Sequence, residues 1–219
     1  MHLNVFIVDV VCAARNRNVL GSLCDEVRNR NLEDLLGDCN QRLTLFAPTN
    51  GAFEIFFDRF NDVFFEDPNN FSFNPIGDIV IGDEMTVGIV SRHAGNIAET
   101  IERIPLLDDR GGRKLIDVEF KNEFLFALLN YHIVSRPLKE FDLKCEGNDR
   151  NIRMRQRGFS ATVCTDFDRP EAQEGTCNVH EAMFHQTDIP TANGIIHVVT
   201  QVLIPSPTGD VSGCTLIGP

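Results

Sequence analysis

Apolar positions in the first forty residues recur at helical spacing. Leu3, Ile7, Val10, Val11 and Ala14 make one stripe of a helix over Val5 to Ala14, and Leu20, Leu23, Cys24 and Val27 make a second over Val19 to Arg28. Leu32 to Leu36 gives a third that stops at Gly37. The period then changes. Leu43 to Ala47 (LTLFA) is a short, unbroken apolar run halted by Pro48, the pattern of an interior strand. A helix follows at once, with Thr49 or Asn50 placed to accept its free N–H groups and Phe53, Phe56, Phe57 and Phe60 on its apolar face.

Residues 61 to 117 mix Asn and Pro turns with short segments: strands at Asp78 to Ile81 and Thr86 to Val90, and a helix near Asn96 to Ile104. From Phe120 to Leu129 the helical period returns and leads into an extended Tyr131 to Val134 ahead of Pro137. Leu143 to Cys145, Asn151 to Arg157 and Phe159 to Cys164 read as successive strands, with Gly158 in the turn between the last two. Asn193-Gly194 is a strong turn signal. The run behind it, Ile195 to Ile204, is apolar on both faces, as a central strand requires, and Pro205 ends it. Helices first and strands last predict an α+β domain, a compact sheet covered by helices.

Composition narrows the functional classes. The chain has 219 residues, 42% of them hydrophobic, within the range of one large domain or two small ones, and one domain is the expectation. Thirty-two acidic against twenty basic residues give a net charge of −12, which repels the phosphate backbone and excludes nucleic acid as the expected partner. None of the seven cysteines falls in a C-x-x-C pair, so scattered disulfides and an oxidising compartment are expected rather than a zinc ribbon. Cys145 with Cys164 flanks an arginine-rich strand; Cys24 with Cys39 and Cys12 with Cys214 are the further candidate pairs, leaving at least one odd thiol, available to a second molecule or, as expected, buried. Met1 to Ala14 superficially resembles a signal sequence but lacks a basic start and carries Asp9, so a secreted form would need a signal peptide that this sequence does not show. No apolar run is long enough to span a bilayer, and no lipid-anchor tail follows Pro205, so a soluble product is expected.

Three segments carry a family resemblance when taken together and in order: Leu43 to Phe53 (LTLFAPTNGAF), Leu128 to Val134 (LLNYHIV) and Asn193 to Pro205 (NGIIHVVTQVLIP). They resemble the signature segments and the tyrosine-histidine motif of fasciclin-like domains, and the stretch from Cys145 to Cys164 looks closest to algal and protist members. The resemblance implies a wedge of two small, roughly orthogonal β-sheets with helices packed along one side, in secreted or cell-surface proteins. It spans residues 1–205 as a single domain, with 206–219 as a C-terminal tail. Gly51 departs from the family, which often has an acidic residue there. The gap between Phe53 and Tyr131 exceeds the family's by ~50 residues, too long for a structureless loop, so an insertion over about 59–118 is expected, a natural place for partner contacts.

The resemblance implies a non-catalytic adhesion or matrix-binding module that engages protein or acidic glycan, without a cofactor. Tyr131 and His132 stand at the motif linked in matrix members to integrin binding, yet their apolar neighbours also suit buried, hydrogen-bonded rings. Arg153, Arg155 and Arg157 would project on one face of an extended chain, either toward a partner or as the charged edge of a sheet. Asn70 heads the N-x-S sequon Asn70-Phe71-Ser72. His197 suits a neutral core histidine. His180 and His185 are five apart, about 140° round a helix and on opposite faces of a strand, which argues against a shared metal. No serine lies in a G-x-S-x-G elbow and no glycine-rich phosphate loop follows a strand, so an enzyme ranks last. The alternative is a small hydrophobic-ligand carrier: some algal members bind carotenoids, and the phenylalanines from Phe53 to Phe73 would line an apolar groove unless they simply fill the core.

Overall fold

The computed structural model describes residues 5–66, 118–145, 150–156, 158–165, 169–176 and 181–205, with side chains apart from those of 59–66 and 118–124. The strands and helix expected between 67 and 117 lie outside the described residues, as do Asn70, Arg157, His180 and Cys214.

Three short helices open the fold: α1 (Ile7–Val11), α2 (Arg17–Asn29) and α3 (Glu33–Gly37), with a 3-10 turn over Ala14–Asn16 between the first two. The expected first helix is thus cut short, because the chain turns after Val11. Asp9, the charge inside the apolar stretch, has a structural use: its carboxylate accepts the Phe6 N–H at 2.8 Å, satisfying one of the free donors at the start of α1. Strand β1 (Leu43–Pro48) follows, then the long helix α4 (Asn50–Glu66). Thr49 caps it, its hydroxyl accepting the Ala52 N–H at 3.2 Å. Asn50 is employed elsewhere, accepting the Ser22 N–H at 2.9 Å and donating to the Arg17 carbonyl at 3.0 Å, and so fastens α4 to α2.

After α5 (Val118–Tyr131) the chain is mainly strand: β2 (Ile133–Val134), β3 (Asn151–Arg153), β4 (Phe159–Cys164), β5 (Pro170–Gly175), β6 (Ala182–Thr191) and β7 (Gly194–Val199). The expected strand at Leu143–Cys145 is absent; a 3-10 turn over Glu140–Asp142 delivers Leu143 to the core instead. The seven described strands join in one sheet of order β2-β1-β7-β6-β5-β4-β3. In place of the two orthogonal sheets that the resemblance implies, the strands form one continuous sheet through the ten-residue β6, which pairs with β7 and with β5. Its register slips on either side of Gln186, and Asp188 adopts φ 54°, a left-handed conformation that Asp tolerates better than most residues.

β1 and β7 run parallel at the heart of the sheet and are buried on both faces, which explains their unbroken apolar sequences. Leu43, Leu45 and Ala47 of β1, with Ile196 and Val198 of β7, face the helices; Phe46 and Val199 face a second core with Tyr131, Leu138, Ile152 and Met154. The final strand is shorter than expected. Val199 pairs with Pro48, which has no N–H to extend the ladder, and the chain leaves the sheet at Thr200.

Asn193 ties these layers together. Wholly buried, it donates to the Leu36 carbonyl at 2.9 Å and the Asp38 carbonyl at 3.2 Å, and accepts the Ile7 N–H at 3.0 Å. One side chain thus links the start of α1, the end of α3 and the β6–β7 hairpin. Asn193→Ala orphans these groups in the interior, and we expect it to destabilise the chain by about 2 kcal/mol in urea unfolding.

Candidate functional site

The tyrosine-histidine motif lies at the end of α5, where the helix stops and β2 begins. Both rings are 0% exposed. The Tyr131 hydroxyl contacts the Phe159 carbonyl and accepts the Thr176 N–H at 3.2 Å, while burial raises its pKa against the opposing effect of Thr176. His132 bridges two segments: Nε2 accepts the Leu203 N–H at 2.8 Å, so Nδ1 carries the proton and donates to the Leu128 carbonyl at 2.8 Å. Burial pushes its pKa down to about 4. Proposed from the sequence as contact residues, Tyr131 and His132 present no surface to a partner in this fold; they hold the C-terminal segment and the β4–β5 hairpin in place.

His197 is also buried and neutral in character. Its Nε2–H donates to the Leu138 carbonyl at 2.9 Å, Nδ1 faces the Asp188 N–H at 3.4 Å, and the ring stacks on Phe46 at 5.5 Å. Burial lowers its pKa, opposed by the Leu138 hydrogen bond and the nearby Asp188 and Glu140 carboxylates. His185, by contrast, is exposed on β6.

The common face expected for Arg153, Arg155 and Arg157 does not form across the described residues. The ladder ends at Arg153 because the chain turns at once, Met154 donating to the Gly158 carbonyl at 2.9 Å. Arg153 is exposed, but Arg155 leaves the strand, and its Nε–H donates to Asn130 Oδ1 at 3.2 Å.

Two disulfides are present among the described residues. Cys145 pairs with Cys164, closing the loop that carries β3. Cys12 pairs with Cys24, which corrects the expected Cys24–Cys39 and Cys12–Cys214 pairs. The physical reason is the early end of α1: the chain turns over Ala14–Asn16 and packs α2 against α1, bringing the Cα atoms of Cys12 and Cys24 within 5.0 Å. Cys39, in the turn after α3, is an exposed free thiol rather than a buried one. A Cys145→Ser, Cys164→Ser chain is expected to lose about 3 kcal/mol, read as a lower urea midpoint that reduction no longer shifts through this bridge.

The phenylalanines of α4 that are described belong to the core: Phe53 and Phe56 are buried, and Phe57 packs against both rings. A cavity among the described residues lies elsewhere, a groove of about 390 Å³ over β4 and β5. Its lining includes the Cys145–Cys164 bridge, Arg150, Ala161, Glu174 and Glu181. This cluster is not legible in the sequence as a group, since Glu174 and Glu181 meet through the pairing of β5 with β6 and Arg150 joins them from the residue before β3.

These features describe a disulfide-linked α+β module whose motif residues are engaged in internal hydrogen bonds. The Fasciclin domain family model matches residues 109–205, which contain α5 through β7. Among solved structures, the chain is similar to a FAS1 domain pair from the insect cell adhesion molecule fasciclin I, at 10% identity and a TM-score of 0.52, covering 91% of this chain and 51% of that one. That likeness shows the fold, and the chain spans about half the length of the pair. A comparison with curated proteins found no match. The family model over residues 109–205 and the shared fold support a fasciclin-like domain; fasciclin domains are generally adhesion-related, non-catalytic modules. No described helix is long and apolar enough to cross a membrane.

Proposed function

We propose that the chain is an extracellular adhesion or matrix-binding module: a single fasciclin-like domain over residues 1–205, with an insertion at about 59–118, that acts by binding rather than by catalysis. The observation that carries this reading is the fasciclin fold with its motif side chains turned inward. Tyr131, His132, Asn193 and His197 are all buried and bonded to the backbone, so the family motifs maintain the scaffold and contact falls to the outer surfaces. The two disulfides support an oxidising compartment.

The test is a binding screen of the immobilised intact chain against matrix proteins and glycans, alongside the same chain reduced and alkylated. Saturable binding by the intact chain alone is the expected result; no binding to either class of probe overturns the reading. Visible absorption after expression with carotenoid present checks the carrier alternative, and a colourless product is expected because the described α4 rings are spent on packing.

A further inference from the structure

We infer that the groove over β3–β6 is a contact site for an extended segment of a partner protein, one that carries a basic and an acidic side chain two positions apart. This inference rests on the chain being a binding module and names the chemistry of its partner.

Strand register builds the site. Asn151, Ala161 and Glu174 lie side by side across β3, β4 and β5, and the pairing of Gln173 with Ala182 brings Glu181 opposite Glu174. Because side chains alternate, Ile152, Ser160, Gln173 and Ala182 turn inward from the same strands and are buried. Ala161 gives the outward row a small floor, and the groove is lined there by the carboxylates of Glu174 and Glu181 and by Arg150, which directly precedes β3.

Within the described residues these charges, on Arg150, Glu174 and Glu181, have no ionic partner. Like charges facing across neighbouring strands repel, so the fold gains nothing from Glu174 opposite Glu181; a cation from outside relieves that repulsion. An anion on the same ligand meets Arg150. β3 and β5 are two strand spacings apart, about 10 Å, and an extended chain presents same-face side chains about 7 Å apart, a difference that long side chains bridge. The rows on either side add apolar contact: Phe159 is 53% exposed and Met183 is 36% exposed, both on this outward face by register. Aromatic and methionine side chains beside a charged centre are a composition favoured at protein interfaces. Two carboxylates against one guanidinium disfavour an acidic glycan.

Fluorescein-labelled peptides on one Val/Thr framework, bearing Lys and Glu two positions apart, two Glu or two Lys, distinguish the possibilities by anisotropy with the full chain, with a heparin oligosaccharide as the glycan probe. The Lys/Glu peptide is expected to bind at least tenfold more tightly than every other probe and to weaken as sodium chloride rises. The double variant E174Q/E181Q should lower that affinity about tenfold, and R150E should shift preference to the two-Lys peptide. All three positions are exposed or half-buried, and thermal melts by circular dichroism confirm folding; the salt titration needs no variant. Equal affinity for all probes, tightest binding of heparin or of the two-Lys peptide to the unaltered chain, or indifference to both variants overturns the inference. Matrix attachment that survives the charge variants overturns the groove and leaves the adhesion reading standing. Lys/Glu peptide binding by a chain that attaches to no matrix component upholds the groove and overturns adhesion.

Discussion

Gly194→Ala is expected to cost about 3 kcal/mol or more, enough to leave little soluble folded protein. Gly194 opens β7 opposite Leu43 in the parallel β1–β7 ladder. A Cβ at this position would lie 2.0 Å from the Leu43 carbonyl oxygen. The obstruction is backbone, so no side-chain rotation relieves it. Either β1 and β7 separate where Leu43 N–H meets the Asn193 carbonyl, or the hairpin shifts and pulls Asn193 from its partners. Urea unfolding of Gly194→Ala beside Gly51→Ala makes the comparison, since a Cβ at Gly51 meets nothing within 4 Å. Equal stability of the two variants would rule out the close-approach account.

The second large effect is acid sensitivity centred on His132. A neutral ring is required in the fold, because Nε2 must accept the Leu203 N–H; its pKa is about 4 there against about 6.5 in the unfolded chain. The unfolded state therefore binds the extra proton first. Stability from this residue is complete above about pH 6.5 and falls as pH drops toward 4, a loss of about 3 kcal/mol. His197, whose pKa is also lowered by burial, acts in the same direction. His132→Phe retains an apolar ring but strands the Leu203 N–H in the core, for a cost of about 3 kcal/mol at neutral pH. It should also flatten the fall in stability between pH 6.5 and 5, a range above most carboxylate titration. Parallel pH profiles for the two chains would contradict the assignment.

Much of the fold is legible in local patterns. The stripes of α2 and α4, the apolar run of β1 and the two-sided burial of β7 follow from side-chain period alone. Motif reading went less far. Asn193-Gly194 signals a turn, and the hairpin is there, but its two turn residues are Ala192 and Asn193, with Gly194 already paired to Thr191. The glycine serves the approach to Leu43, and the asparagine serves α1 and α3 through its side chain. Both uses depend on segments more than 150 residues away in sequence.

The candidate site was less legible still. Arg153, Arg155 and Arg157 suggested a single charged face, but the tight turn at Met154 and the hydrogen bond from Arg155 to Asn130 dissolved it. That Glu174 and Glu181 face each other follows from the pairing of β5 with β6, a register that residue spacing alone does not give. By itself the sequence determined the α+β class, the family resemblance and the Cys145–Cys164 bridge, since periodicity and short loops are local. Only tertiary structure decided that Cys12 pairs with Cys24, that Tyr131 and His132 face inward, and that Arg150 shares a groove with two glutamates. Each of those depends on which strands and helices become neighbours, and the packing of the whole core sets that choice.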